Sequence, residues 1–534
     1  MIRTAGIAVT LGLMVAAAPP ALAAPGGFDG DGRGDLAIGV AAEDLIEGGN
    51  DDDGAVNVLY GFGSGLATLG DQLWTQASPG IEGDGAEADD GFGTALAAGD
   101  FNGDGIGDLA VGVPFEDVAA GADDGDGAVH IIHGSPTGLQ LDNDALFTQA
   151  TLGIAGDGPE ADDGFGAALA AGDFDGDGLG DLAVGVPAED VAAGANDDDG
   201  AIAILFGSVV GLVTTNSLEL AQSTPGIAGD GAEADDRFGS VLAAADIDRD
   251  GRDDLLVGVP DEDVLLPGDD AGSMQAIYGS AAGPDLGRDR SFSQQTTGIA
   301  GMAGLGDRFG SVLAPGDFDR DRFIDLAVGV PGEAVAALPG AGAVNVLRGR
   351  PKGLTAKSDR YFTANRSGIV GDGAEAGDGF GSALAAGDFD GDDLADLAVG
   401  VPGENLEVGA NDDDGAVHWL RGHAGGISLK RNRLLTQETV GIAADGAEAG
   451  DRFGATLSAA DLDGDGIGDL AIGTPGEDVT AGANDDDGAV TVIFGILRRG
   501  LTAIRDQLLH QSRPGVEDDA EAADAFGATL LAAG

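Results

Sequence analysis

Apolar residues along this chain come in short runs of five or six, each cut off by glycine, proline or a cluster of acids. The stretch from Phe165 to Gly239 shows the grammar. Ala167 to Ala171 is one apolar run, Leu182 to Pro187 a second and Ala201 to Phe206 a third, and a fourth lies within Leu218 to Thr224. The runs are rich in small and β-branched residues and none carries a helical stripe of useful length, so the pattern predicts four short β-strands per unit. The first two are separated by the acidic phrase Asp173 to Asp181, the second and third by a polar connection through Asn196 to Gly200.

That unit repeats. The phrase starting at Asp100 returns at Asp173, Asp246, Asp317, Asp388 and Asp461, and a truncated copy stands at Gly27-Phe28-Asp29; successive starts lie 73, 73, 73, 71, 71 and 73 residues apart. Four strands at a fixed long period predict a propeller blade, with a linear solenoid as the competitor. The ends favour the ring. Phe92, Phe165, Phe238, Phe309, Phe380, Phe453 and Phe526 each open a unit with a following glycine, and the last unit stops at Gly534, one residue before its acidic phrase is due. Gly26 to Leu36 supplies nearly that missing text. One strand from the C-terminal end and three from the N-terminal end therefore complete a seventh blade, which removes two exposed sheet edges. The expected fold is an all-β, seven-bladed β-propeller of four-stranded blades spanning 24–534.

The acidic phrases have the chemistry of a hard-cation site. Asp173, Asp175, Asp177 and Asp181 occupy loop positions 1, 3, 5 and 9, and the carbonyl of Leu179 stands at position 7. Alternate residues of a tight loop turn their oxygens inward, and Gly178 at position 6 allows the reversal. Calcium accepts six to eight such ligands in flexible geometry, magnesium wants a tighter octahedron, and zinc prefers Cys or His. The loop differs from a helix–loop–helix site: position 12 is Val184 rather than Glu, so Asp181 must close the site from position 9. The competing reading is a row of Asp-Gly turns that bond only to their own backbone; six full copies at one spacing weigh against it.

The same positions give the other candidate ligands: Asp100, Asn102, Asp104, Ile106 and Asp108; Asp246, Asp248, Asp250, Arg252 and Asp254; Asp317, Asp319, Asp321, Phe323 and Asp325; Asp388, Asp390, Asp392, Leu394 and Asp396; Asp461, Asp463, Asp465, Ile467 and Asp469. The first loop offers Asp29, Asp31 and Asp35, with Gly27 where the first acid belongs. Arg322 and Asp393 replace the position-6 glycine in two loops, where strain is expected. About six or seven Ca2+ ions are expected in all. The further acidic runs, such as Asp51 to Asp53 and Asp485 to Asp487, read as solvated surface, because the fifth unit replaces them with Leu338-Pro339-Gly340-Ala341.

Phe165-Gly166, the Asp173 to Asp181 loop and Val184-Gly185-Val186-Pro187, with Phe453-Gly454, Asp461 to Asp469 and Gly473-Thr474-Pro475, resemble the FG-GAP repeats of the integrin alpha-subunit propeller. The resemblance covers residues 26–534. It implies seven blades, calcium in hairpin loops on one face and protein ligands on the other. The chain has such loops in nearly every blade, and the legs, membrane helix and partner domain of integrins are missing from it, so it looks more like an exported bacterial FG-GAP protein. Arg33-Gly34-Asp35 spells an adhesion peptide, but Asp35 falls at loop position 9, where the loop should hold it inward.

Composition sharpens this picture. With 94 acidic and 25 basic residues the formal charge is -69, which excludes a nucleic-acid binder and argues against direct adsorption to anionic lipid. Divalent ions are the natural counterions for clustered carboxylates, although seven would still leave about -55. Residues 1–23 read as a secretory signal peptide, with Arg3, the apolar run Ile7 to Ala18 and a cleavage site after Ala21-Leu22-Ala23. No later segment has the ~18 apolar residues of a membrane span. Cys is absent, so an exported chain needs a staple other than disulfides.

The expectation for function is a secreted or cell-surface-associated, calcium-stabilised scaffold for adhesion to protein or glycan ligands, acting as a monomer. A secreted hydrolase with a carboxylate or metal-assisted site is the second reading, and a matrix or coat protein the third. Against catalysis, no Gly-x-Ser-x-Gly elbow appears. His130 and His133 alternate onto opposite strand faces, and His418 and His423 read as surface residues.

Overall fold

The computed structural model describes residues 27–534 apart from 44–52, 84, 118–124, 157, 192–197, 230, 267, 407–412, 444–445, 479–485, 515 and 517–523. The proposed signal segment and most of the acidic runs after the second strands thus lie outside the described residues.

Among the described residues seven four-stranded antiparallel sheets form the ring, and Gly61–Phe62 pairs with Gly65–Leu66 in a separate small hairpin. The third blade is typical, with Ala168–Gly172 innermost, then Asp181–Val186, Ala201–Phe206 and Val213–Ala221 outermost. The first three strands fall where the apolar runs place them, while the fourth starts five residues earlier than its apolar content suggested. Every residue of Asp181–Val186 is buried, because neighbouring blades cover both faces of the sheet. That is why the inner strands read as continuous apolar runs rather than alternating ones. Val213–Ala221, at the rim, is half exposed and polar, which left its start illegible.

The ring closes as the two chain ends predicted. Thr529–Ala533 pairs with Asp35–Val40 in the register Asp35↔Ala533 to Gly39↔Thr529. Ala55–Leu59 and Gln72–Trp74 complete that first blade. Each innermost strand lies against the innermost strand of the next blade, and Thr529–Ala533 touches both Thr456–Ala460 and Ala95–Gly99. The Phe-Gly pairs serve a further contact, against the second strand of the preceding blade. Gly166 has φ +98°, and its carbonyl oxygen lies 2.1 Å from where a Cβ on Gly112 of the preceding blade would stand, so neither glycine tolerates a side chain.

At the end of the ring away from the acidic loops, glutamines and glutamates tie blade to blade. Gln76 donates to Glu116, Gln149 to Glu189, Gln222 to Glu262, Gln294 to Glu333, Gln437 to Glu477, and Gln511 to Glu43 across the closure. The sequence carries this signal at a spacing near 40, but the glutamates were submerged among the other acids. One junction departs: Ala364 stands where the glutamine belongs, and Glu404 faces Asp372, Glu375 and Asp378. Burial first, then these carboxylates, push Glu404 up to about 8. The stabilisation from holding this proton is fully present below about pH 4.5 and lost as the pH rises through about 8. Ala364→Gln is therefore expected to stabilise the protein by about 1 kcal/mol in a denaturant melt, with the larger gain above pH 8.

The last acid of each run is buried rather than solvated, as Asp53, Asp126, Asp199, Asp414 and Asp487 show, which corrects the solvated-surface expectation for these positions. Asp414 accepts the Leu406 amide at 3.0 Å. Asp51, Asp52 and Asp485 lie outside the described residues.

Candidate metal centres

The seven acidic loops stand at one end of the ring, each joining an innermost strand to the second strand of its blade. Five bring three carboxylate oxygens within 4.8 Å of one another: Asp173, Asp175 and Asp181; Asp246, Asp248 and Asp250; Asp317, Asp319 and Asp321; Asp388, Asp390 and Asp396; Asp461, Asp463 and Asp465. These five clusters can hold a metal ion. Among the described residues the first two loops gather no such trio, in keeping with Gly27 in one and the uncharged Asn102 in the other.

Position 1 organises the turn. Asp173 accepts the amides of Gly176, Asp177 and Gly178 at 2.7–3.0 Å, and Asp100, Asp246, Asp388 and Asp461 each accept two amides in the same way. The local-turn reading and the ion reading therefore describe one geometry: the bonds that fold the loop also aim its oxygens.

Position 9 does something the sequence did not reveal. Asp181 accepts the Phe174 amide at 2.9 Å with one oxygen and the Gly207 amide at 2.9 Å with the other. Asp35, Asp108, Asp254 and Asp469 repeat this pair of bonds. In the sixth blade Asp396 bonds Gly422 at 2.7 Å and the Trp419 indole at 3.0 Å. This carboxylate pins the ion loop to the hairpin after the third strand. Burial pushes Asp35 and Asp325 up to about 7 and Asp181, Asp254, Asp396 and Asp469 up to about 8, against the lowering effect of their amide bonds. Asp108 is raised by burial too, and His133, 3.2 Å away, opposes the rise. Asp35 is fully buried, so Arg33-Gly34-Asp35 does not display its acid.

Strain falls where the missing glycines predicted it: Arg322 has φ +74° and Asp393 φ +61°. Position 4 is also left-handed, with Arg249 at +62° and Arg320 at +64°, a demand not read from the sequence. Arg322→Gly is expected to raise stability by about 1 kcal/mol, read as a shift of the denaturant midpoint.

Arginines are the other unforeseen members. Arg288 reaches Asp248, Arg348 and Arg350 reach Asp319 and Asp321, Arg421 reaches Asp390 and Asp392, and Arg505 reaches Asp463. The third loop has no such guanidinium among the described residues; there Arg252 donates to the backbone oxygen of Asp175 at 3.3 Å. Burial raises Asp175, and the Arg252 charge opposes that rise through space but makes no ion pair with its carboxylate.

His130 and His133 do not pair with each other. His130 is buried with Nδ1 3.6 Å from Asp144, and His133 faces the loop, on opposite sides of one strand as expected. His418 corrects its surface reading: it is buried beside Phe380, with ring centroids 5.4 Å apart, and burial lowers it to about 4. His423 is exposed.

The repeat is matched by the model of the FG-GAP repeat at residues 92–132, 165–205, 238–273, 380–418 and 453–493. The chain carries FG-GAP repeats. Its propeller resembles that of integrin alpha subunits. It is 33% identical over 249 residues to integrin alpha pat-2 of Caenorhabditis briggsae, covering 45% of this chain and 18% of that protein. It is also 33% identical over 168 residues to the phosphatidylinositol-glycan-specific phospholipase D of Rattus norvegicus, covering 31% of this chain and 18% of that protein. The FG-GAP chain thus spans under a fifth of the length of these two relatives. A solved rhamnogalacturonan lyase of Bacillus licheniformis aligns over 83% of both chains at 13% identity, but its TM-score of 0.33 carries no argument. Among the described residues no helix is long and apolar enough to cross a membrane.

Proposed function

We propose that this FG-GAP propeller is an exported, calcium-stabilised scaffold that binds protein or glycan partners outside the cell. The observation that carries the reading is the set of five carboxylate clusters at equivalent corners of one ring. Calcium fits their all-oxygen donor sets. Positions 1, 3, 5 and 9 supply carboxylates, position 7 a carbonyl, and Asn102 an amide oxygen. Residues 1–23 direct export, and 24–534 form the single propeller. Six or seven ions bind at saturation, the third loop most tightly because no arginine must be displaced from it, the fifth and sixth loops most weakly. Counting calcium by equilibrium dialysis tests this: about five tightly held ions per chain are expected, rising toward seven. A count of zero or one overturns it. Screening the calcium-loaded monomer against extracellular proteins and glycans tests the binding role; association of the chain with itself on adding calcium would point instead to a matrix component.

A further inference from the structure

Basic charge is distributed very unevenly round the ring. No lysine or arginine occurs between Arg33 and Arg237, whereas residues 276–366 hold eleven basic against nine acidic residues. That cationic stretch is the blade whose repeat, beginning at Phe309, lies outside the matched FG-GAP segments, together with the end of the blade before it. Two of the three lysines of the whole chain, Lys352 and Lys357, sit there.

They line a groove of about 710 Å³ between the outer strands Asp285–Ser293 of the fourth blade and Thr355–Phe362 of the fifth. Arg290 faces it from one side, and Lys352, Lys357, Thr355 and Ser358 from the other. Arg290, Lys352 and Lys357 are exposed and make no ion pair with any described residue, while the neighbouring Arg350 is held by Asp321. The nearby acids are engaged elsewhere: Asp289 accepts the Ala228 amide, and Asp359 accepts the Ala300 amide and the Asn345 side chain, both at 2.8 Å. The floor is fixed. Tyr278 of the fourth blade accepts the Leu354 amide at 2.9 Å, Arg288 stacks 4.7 Å over the Tyr278 ring, and Gly353 (φ +90°) leaves no room for a side chain against the tyrosine.

We propose that this groove binds an anionic glycan, one bearing sulfate or carboxylate groups; the proposal rests on the scaffold reading and assigns its ligand class. Three uncompensated cations on a preorganised floor supply the attraction. At physiological salt the Debye length is about 8 Å, so the distant acidic arc is screened and the local charge decides. Hydroxyls of Thr355 and Ser358 interleave with the cations, which suits a hydroxyl-rich ligand. The lining offers only Pro351 and Leu354 as apolar side chains and no aromatic pocket, which disfavours a peptide anchored by large side chains.

The test is isothermal titration calorimetry of the calcium-saturated chain with a heparin octasaccharide, an oligogalacturonate, a neutral dextran oligosaccharide and poly-glutamate. The heparin fragment or the oligogalacturonate binds, more weakly as salt rises, and dextran does not. Arg290→Ala/Lys352→Ala/Lys357→Ala weakens binding at least about tenfold and leaves the melting curve in place, because all three side chains are exposed. Calcium bridging of a carboxylated glycan to surface acids would survive that triple substitution, so retained affinity overturns the assignment. Absence of binding by both anionic glycans, or equal affinity for poly-glutamate, overturns it too. The broader scaffold reading fails separately, if no partner of any class binds the calcium-loaded ring.

Discussion

Protein stripped of divalent cations is expected to melt about 13 °C below the calcium-loaded protein. Each ion bound only by the folded state contributes about 2.7 kcal/mol when free calcium is a hundredfold above its dissociation constant. Five clusters acting together contribute about 13 kcal/mol. A cooperative unit of this size unfolds with an entropy of about 1 kcal/mol per kelvin, which converts one figure to the other. A shift below about 3 °C would remove ions from the account of stability.

The pH dependence of the metal-free protein has a definite sign. Burial holds the position-9 carboxyls up to about 7 or 8, far above an unfolded aspartate. A raised folded value means that the protonated form is favoured by folding. Its stabilisation is fully present below about pH 4 and is lost as the pH rises through about 8. Metal-free protein prepared by dialysis should therefore melt higher at pH 5.5 than at pH 8.5. With saturating calcium the order should invert, because the ion requires the deprotonated oxygens.

Removing residues 529–534 is the second large effect. Truncation strips Thr529–Ala533 from the inner edge of the first blade, exposing Leu36 and Ile38 and five ladder positions of Asp35–Val40. Loss of two buried leucines and the ladder costs about 5 kcal/mol or more, and it also reopens the seam between the last blade and the first. The truncated chain should show early proteolytic cleavage within 27–90. A synthetic peptide of residues 528–534 added in trans should restore protection. Native-like resistance without the peptide would contradict closure by these strands.

Period, strand count and closure were readable because each rests on apolar runs bounded by glycine and on text missing from one end and present at the other. Loop positions 1 to 9 were readable for the same reason. What escaped needed three dimensions. Asp181 is also a pin between two backbone segments 26 and 7 residues away, and nothing in its spacing announces that second task. The glutamine–glutamate ties join residues about 40 apart in adjacent blades, a distance at which an acid-rich chain offers too many partners. His418 looked superficial because a strand with both faces covered gives no alternation to read.

One last feature binds the loops to each other. In six of the seven loops the position-8 amide donates to the position-1 carbonyl of the loop before it: Gly107 to Gly27, Gly180 to Asp100, Asp253 to Asp173, Ala395 to Asp317 and Gly468 to Asp388, at 2.9–3.1 Å. Gly34 donates to Asp461 at 2.7 Å, so the last loop is followed by the first. Side chains at position 7 lean on the same neighbour, as Leu179 does on Gly103 and Arg33 on Gly464. The centres thus form a string of beads that runs across the closure of the ring and is open between the fourth and fifth loops, and each linked bead sets the posture of the next. Filling one should ready its linked downstream neighbour, and damage within the string should be felt by the beads tied to it.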